Sequence, residues 1–153
     1  VITAVVTVSL LGPTWVRVQP ATSATFLAGT GGVPGGREVG EWVAANVPEG
    51  SEVMTVGPSM ANIIQFYGHR RAYGLSVSPN PLNRNPSYQP IVNPDLAIRT
   101  NNLQYVVWDS YSTKRSTFFG SKLMAYADRY HGRSVFTYES DGEPVIVVYE
   151  VRP

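Results

Sequence analysis

From residue 37 onward, short β-patterned runs alternate with helix-patterned ones, and this alternation limits the fold more than any other feature of the sequence. When a helix separates two strands it carries the chain back to where the first strand began, so the strands run parallel and the helices cover the sheet. A helix is expected over 37–47, with Val39, Trp42, Val43 and Val47 on one face, Glu38 and Glu41 near its start, and Pro48-Glu49-Gly50 as its stop. A strand over 52–56 follows. Gly57-Pro58-Ser59 then opens a helix with Met60, Ile63, Ile64 and Tyr67 in register and Gly68 as its C-cap. Further strands are expected over 72–77 and, centrally, over 104–109, with a short helix starting at Asn93-Pro94-Asp95 between them. The longest helix is expected over 116–130, with Phe119, Leu123, Ala127 and Tyr130 on one face and Gly132 ending it. Strands over 133–139 and 144–151, joined by Ser140-Asp141-Gly142-Glu143, form a closing hairpin. The expected class is α/β: a three-layer, Rossmann-like arrangement whose mainly parallel sheet ends in a C-terminal antiparallel hairpin.

A hydrophobic N-terminal segment precedes this body. Residues 1–16 carry no charge, and the run 1–11 ends at Gly12-Pro13, with Trp15 and Arg17 beyond it. That trim suits the end of a membrane helix. Sixteen helical residues span about 24 Å against a hydrocarbon core of about 30 Å, so the segment fits the last part of a span rather than a complete one. Its β-branched residues also suit a strand, with Ile2, Val6, Val8 and Leu10 opposite Thr3, Thr7 and Ser9. The expected organisation is the end of a transmembrane helix over 1–16, a Gly-rich linker over 17–36 and a soluble α/β domain over 37–153, the whole being the tail of a longer membrane protein.

Composition removes several classes of function. The 153 residues include no cysteine, which excludes disulfides and thiolate metal centres. A net charge of +1 leaves no strong footprint for a nucleic-acid backbone, so no nucleic-acid partner is expected. The charge is unevenly spread. Residues 60–115 hold Arg70, Arg71, Arg84, Arg99, Lys114 and Arg115 against only Asp95 and Asp109, and an anionic ligand is expected there.

Residues 31–38 imitate a phosphate-binding loop, but Arg37 and Glu38 stand where Lys and Ser or Thr are needed, and the segment reads as an ordinary approach to a helix. Gly57-Pro58-Ser59 is a strand-to-helix junction whose free amides suit either an anion or a cap. The most informative stretch is His69-Arg70-Arg71 together with residues 78–93, a long connection without periodicity. Asn80, Asn83, Asn85 and Gln89 suit sugar hydroxyls, Arg84 suits phosphate oxygens, and Tyr88 suits the apolar face of a sugar. The same residues would also make a proline-stiffened loop with Asn-capped turns. Asp109 ends the central strand, where open α/β sheets place ligands. Ser110, Ser112 and Ser116 follow it in a hydroxyl-rich loop without a nucleophile elbow, and His131 beside Gly132 reads as a helix cap. No catalytic triad, metal-ligand spacing or paired carboxylates emerge, so no cofactor or metal is expected in this chain.

Four stretches carry a resemblance when taken together: Val33-Pro34-Gly35-Gly36-Arg37-Glu38, Gly57-Pro58-Ser59-Met60-Ala61-Asn62, Phe66-Tyr67-Gly68-His69-Arg70 and Leu75-Ser76-Val77-Ser78-Pro79-Asn80-Pro81. The chain resembles the C-terminal soluble domain of bacterial polytopic membrane glycosyltransferases of the GT-C type, similar to protein mannosyltransferases and aminoarabinose transferases. The resemblance implies a polyprenyl-phosphate-linked sugar donor, with catalytic acidic residues in an early extracytoplasmic loop outside this chain. It further implies a domain at the cell membrane on the extracytoplasmic side, with the membrane-embedded part of the same polypeptide and a lipid-linked sugar or a glycan or protein acceptor as partners. His69, Arg70, Arg71, Asn80, Asn83, Arg84, Asn85 and Tyr88 form the expected contact surface. A soluble module binding a nucleotide or sugar phosphate at Gly57 and Asp109, and a purely structural packing domain, are the alternatives.

Overall fold

The structure, a computed structural model, describes residues 32–153. The expected membrane-helix end over 1–16 and most of the 17–36 linker lie outside the described residues. Among those described, no helix is long and apolar enough to cross a membrane.

The elements run in the order α1 (Gly36–Asn46), β1 (Glu52–Thr55), α2 (Pro58–Tyr67), β2 (Arg71–Gly74), a 3-10 turn (Pro81–Asn83), α3 (Pro94–Arg99), β3 (Tyr105–Asp109), α4 (Ser110–Arg115), α5 (Thr117–Arg129), β4 (Arg133–Ser140) and β5 (Glu143–Glu150). They build an α/β fold on a five-stranded mixed sheet of order β2-β1-β3-β5-β4. β1 pairs in parallel with both β2 and β3, and the C-terminal hairpin supplies two antiparallel strands through β3–β5 and β5–β4. β3 is central, as its apolar run predicts. The hairpin turns on Asp141 and Gly142, both at positive φ (55° and 79°), as a tight turn matched to strand twist requires.

Alternate strand positions feed two apolar clusters. Val53, Ala72, Val107, Ile146 and Val148 join Val39 and Val43 of α1 and Met60, Ile63 and Ile64 of α2. Met54 and Val106 join Ile98 of α3 and Leu123 of α5, with Phe119 and Tyr126 alongside. The period-two strands and period-3.6 helices read from the sequence thus meet face to face. Val33 is fully buried in the first cluster, so the packed body includes a residue four positions before the expected domain start. Gly35 makes this possible: its φ is 73°, and a Cβ there would run into the Tyr138 ring.

Two local expectations fail, and the helix ends add a detail. β2 ends at Gly74 rather than at residue 77, because the Val77 amide turns back to the Gly74 carbonyl (3.0 Å), while Leu75 still donates to Thr55 of β1 (2.9 Å) and Ser76 to Val56 just beyond it (3.0 Å). The hydroxyl-rich loop after Asp109 contains a helix, α4, because the Asp109 carboxylate caps it. The helix-ending glycines do not take the left-handed conformation; His69 and His131 do, each at φ 50°. At α5, His131 donates to Asp128 (3.3 Å) and Gly132 to Ala127 (2.7 Å), the paired bonds of a Schellman ending. Gly68 is the C-cap of α2, as expected, and it is also needed for packing, since a Cβ there would lie 2.6 Å from the Ile64 carbonyl oxygen and 3.0 Å from Val43.

Candidate functional site

The sequence-predicted residues fall into three places. The first is an open groove along β2, lined by Gln65, His69, Arg70, Arg71 and Gln89. α2 supplies Gln65, whose amide donates to the Ala72 carbonyl (2.7 Å). His69 is exposed at the α2 C-terminus. Arg71 opens β2 with its side chain extended into solvent, 3.7 Å from Glu52. Gln89 arrives from the long connection because its carbonyl accepts the Gly74 amide (3.2 Å) and Pro90 bridges to Gly74 in parallel.

Arg70 is placed differently from its neighbour. Its Nε donates to the carbonyls of Val47 (3.1 Å) and Pro48 (3.0 Å), its Nη2 to Val47 (2.6 Å) and Ala44 (3.3 Å), and its Nη1 to Gly68 (3.2 Å) and His69 (3.1 Å). The guanidinium satisfies the carbonyls that α1 leaves unpaired at its C-terminus, where the helix dipole favours a cation. It contributes charge to the groove wall while its donors hold backbone.

The second place is the connection over 75–93, which is ordered by its own side chains. Asn80 caps the 3-10 turn by accepting the Leu82 amide (3.0 Å), and the Asn83 amide returns to the Asn80 carbonyl (3.0 Å). Arg84 donates to Pro79 (2.7 Å) and Ser78 (3.4 Å), while its Nε is buried without a partner. Asn85 accepts both the amide (3.0 Å) and hydroxyl (2.9 Å) of Ser87, and the Tyr88 amide donates to the Asn85 carbonyl (2.9 Å). These are successive Asx turns of the kind the alternative reading invoked. Asn83 and Asn85 remain exposed and Tyr88 half-buried. Of this segment, Gln89 is the residue that lines the β2 groove.

The third place is the carboxyl end of the parallel strands. Asp109 is fully buried; its Oδ1 accepts the Ser112 amide (2.6 Å) and its Oδ2 has no partner. Burial pushes its carboxyl above the ordinary range, opposed by the Ser112 amide and hydroxyl. A Cβ on Gly57 would sit 3.3 Å from the Ser112 hydroxyl and 3.8 Å from that of Ser76, so the ends of β1, β2 and β3 converge there. The Thr55 hydroxyl is spent on the carbonyls of Gly57 (2.8 Å) and Tyr73 (3.3 Å). The buried Oδ2 has no open surface, which makes Asp109 a helix cap as the molecule stands.

Sequence reading missed Gln65 and Thr55. Gln65 sits on an amphipathic helix and Thr55 in a mostly buried strand, where a polar residue beside apolar ones carries no distinguishing pattern. Among the described residues no group of three His, Asp or Glu side chains is arranged to hold a metal ion. Comparison with protein-family models, with curated proteins and with solved structures finds no match to this chain.

Proposed function

We propose that residues 37–153 form the extracytoplasmic accessory domain of a membrane glycosyltransferase that uses a polyprenyl-phosphate-linked sugar donor. In this reading it shapes access of acceptor or donor to an active site carried by the membrane-embedded part of the same polypeptide. The family resemblance in the sequence motivates the proposal. The observation that carries it is the β2 groove, where the exposed Arg71 and His69 meet the amides of Gln65 and Gln89. A cation with converging amides suits a ligand bearing both hydroxyls and phosphate. On the same reading the two apolar clusters belong to a three-layer, Rossmann-like fold. The module that binds a nucleotide or sugar phosphate at Gly57 and Asp109 is the weaker reading, because the unpartnered Asp109 oxygen is closed to solvent.

The test is transfer by the full polypeptide carrying Arg71→Ala, with Arg84 untouched because its donors hold the Ser78 and Pro79 carbonyls. Arg70 is left in place because it holds α1. Loss of one charge-assisted contact to the ligand corresponds to about tenfold in rate. An unchanged rate at normal expression removes the groove from function. Residues 1–153 alone are expected to transfer no sugar, and robust transfer by them overturns the proposal.

A further inference from the structure

The two edges of the sheet are finished differently. β2 has four residues and is closed off: the Gly74 amide donates to the Gln89 carbonyl (3.2 Å), Pro90 bridges to Gly74, and the Ala72 carbonyl accepts the Gln65 side-chain amide (2.7 Å). β4, at the other edge, has eight residues, and among the described residues no strand or loop pairs with its outer side. An open edge of this length is a template for another strand unless it is covered, shortened or marked with lysine or proline. β4 has neither of those residues, and 134–138 is uncharged.

Two bulges interrupt the pairing of β4 with β5. Between them Phe136, Thr137 and Tyr138 run in regular register with Val148, Val147 and Ile146. At each bulge two successive side chains, Val135 with Phe136 and Val145 with Ile146, pack on the same cluster, as when both share one hydrogen-bonded residue opposite. Phe136 and Tyr138 are therefore spent on β5, and Thr137 between them turns its amide and carbonyl outward. Glu139 turns outward as well, because its partner Pro144 has no N–H to exchange.

Charge is divided along the same hairpin. Arg133 and Arg152 line one recess with His131 and share a single acid, Glu150 (2.7 and 2.9 Å). At the turn, Glu139, Asp141 and Glu143 are exposed and make no ion pair among the described residues. One end of the edge is cationic and the other is acidic. A copy of the same edge laid antiparallel meets both ends with the opposite sign; laid parallel, it meets both with the same sign.

We infer that β4 joins two copies of this chain, antiparallel about a two-fold axis at Thr137, so that their sheets become continuous. The axis sets Thr137 against its own copy, where the two outward residues exchange both backbone hydrogen bonds. It sets Phe136 opposite Tyr138 of the other copy, on the face of the first apolar cluster, and covers rings that are half-buried in one copy alone. Arg133 of each copy then lies beside Glu139 and Asp141 of the other. The inference stands apart from the groove, which lies on β2 at the opposite edge.

The chain has no cysteine, so a single nitroxide can be attached at Ser140→Cys. In the full chain, pulsed electron double resonance reads the distance between labels on two copies. Residue 140 lies three positions from the axis on each side, which gives a backbone separation of about 20 Å at about 3.4 Å per residue. The expected result is this distance, with an amplitude that falls on dilution with unlabelled chain. Glu139→Lys should weaken association at least about tenfold at an unchanged unfolding midpoint. Labels in near contact mean parallel pairing, and no coupling at any concentration means an edge that takes no second copy. Association of Glu139→Lys equal to the parent removes the charge match. Each of these three results overturns the inference.

Discussion

The two ends of the sheet handle charge in opposite ways. At the amino end, Glu52 faces Arg71, Glu150 lies between Arg133 (2.7 Å) and Arg152 (2.9 Å), and Arg70 is bound to five backbone carbonyls. At the carboxyl end, Lys114 and Arg115 make no ion pair among the described residues, and Phe118 just beyond them is exposed. The amino end uses charge to close the fold; the carboxyl end leaves Lys114 and Arg115 without an ion pair among the described residues. Stability and function are therefore expected to separate along the strand axis.

The largest effect belongs to the amino end. Arg70→Ala frees the α1 carbonyls, and a loss of about 2–3 kcal/mol is expected in urea unfolding, in line with charge-assisted bonds to a partly buried cation. A loss under about 0.5 kcal/mol, the ordinary range of a surface change, would break the comparison.

Asp109 comes next. Asp109→Ala removes the α4 cap at a cost of about 1 kcal/mol. Its pH behaviour sharpens the point. Burial raises the folded carboxyl above its unfolded value, so the folded state binds the proton more tightly and stability falls as pH rises from about 4 through the folded value. Asp109→Asn should flatten this slope in unfolding measured across acid pH, whereas an unaltered slope would mean that the carboxyl is hydrated in solution.

Glu150 carries the opposite sign. Arg133 and Arg152 hold its carboxyl below the ordinary range, so its stabilisation is present above about pH 4 and lost as pH falls through the lower folded value. Glu150→Gln should remove this acid-side loss and cost about 0.5 kcal/mol at neutral pH, the partners being largely exposed. The smallest effect is expected for Lys114→Ala with Arg115→Ala, within about 0.5 kcal/mol of the parent in the same assay. A larger loss would give these residues a structural role and blur the contrast between the ends.

Much of the fold was legible because periodicity and burial coincide. Val39 and Val43, Met60, Ile63 and Ile64, and Leu123 and Ala127 all pack where their spacing placed them. What escaped was set by contacts distant in sequence. No local pattern marks Arg70 as the cap of α1, since its carbonyls lie more than twenty residues upstream. α4 has one turn and a half and no apolar stripe, so only the Asp109 cap could have announced it. For the site, residue types were legible and their company was not. His69, Arg71 and Gln89 share the groove, while Asn80, Arg84 and Asn85 turn their polar atoms back onto their own loop.

The contrast between the ends is tested most directly by urea unfolding of Arg70→Ala set beside the double variant Lys114→Ala with Arg115→Ala. The account predicts a loss of about 2–3 kcal/mol for the first and a change within about 0.5 kcal/mol for the second. Equal losses in the two proteins would contradict it.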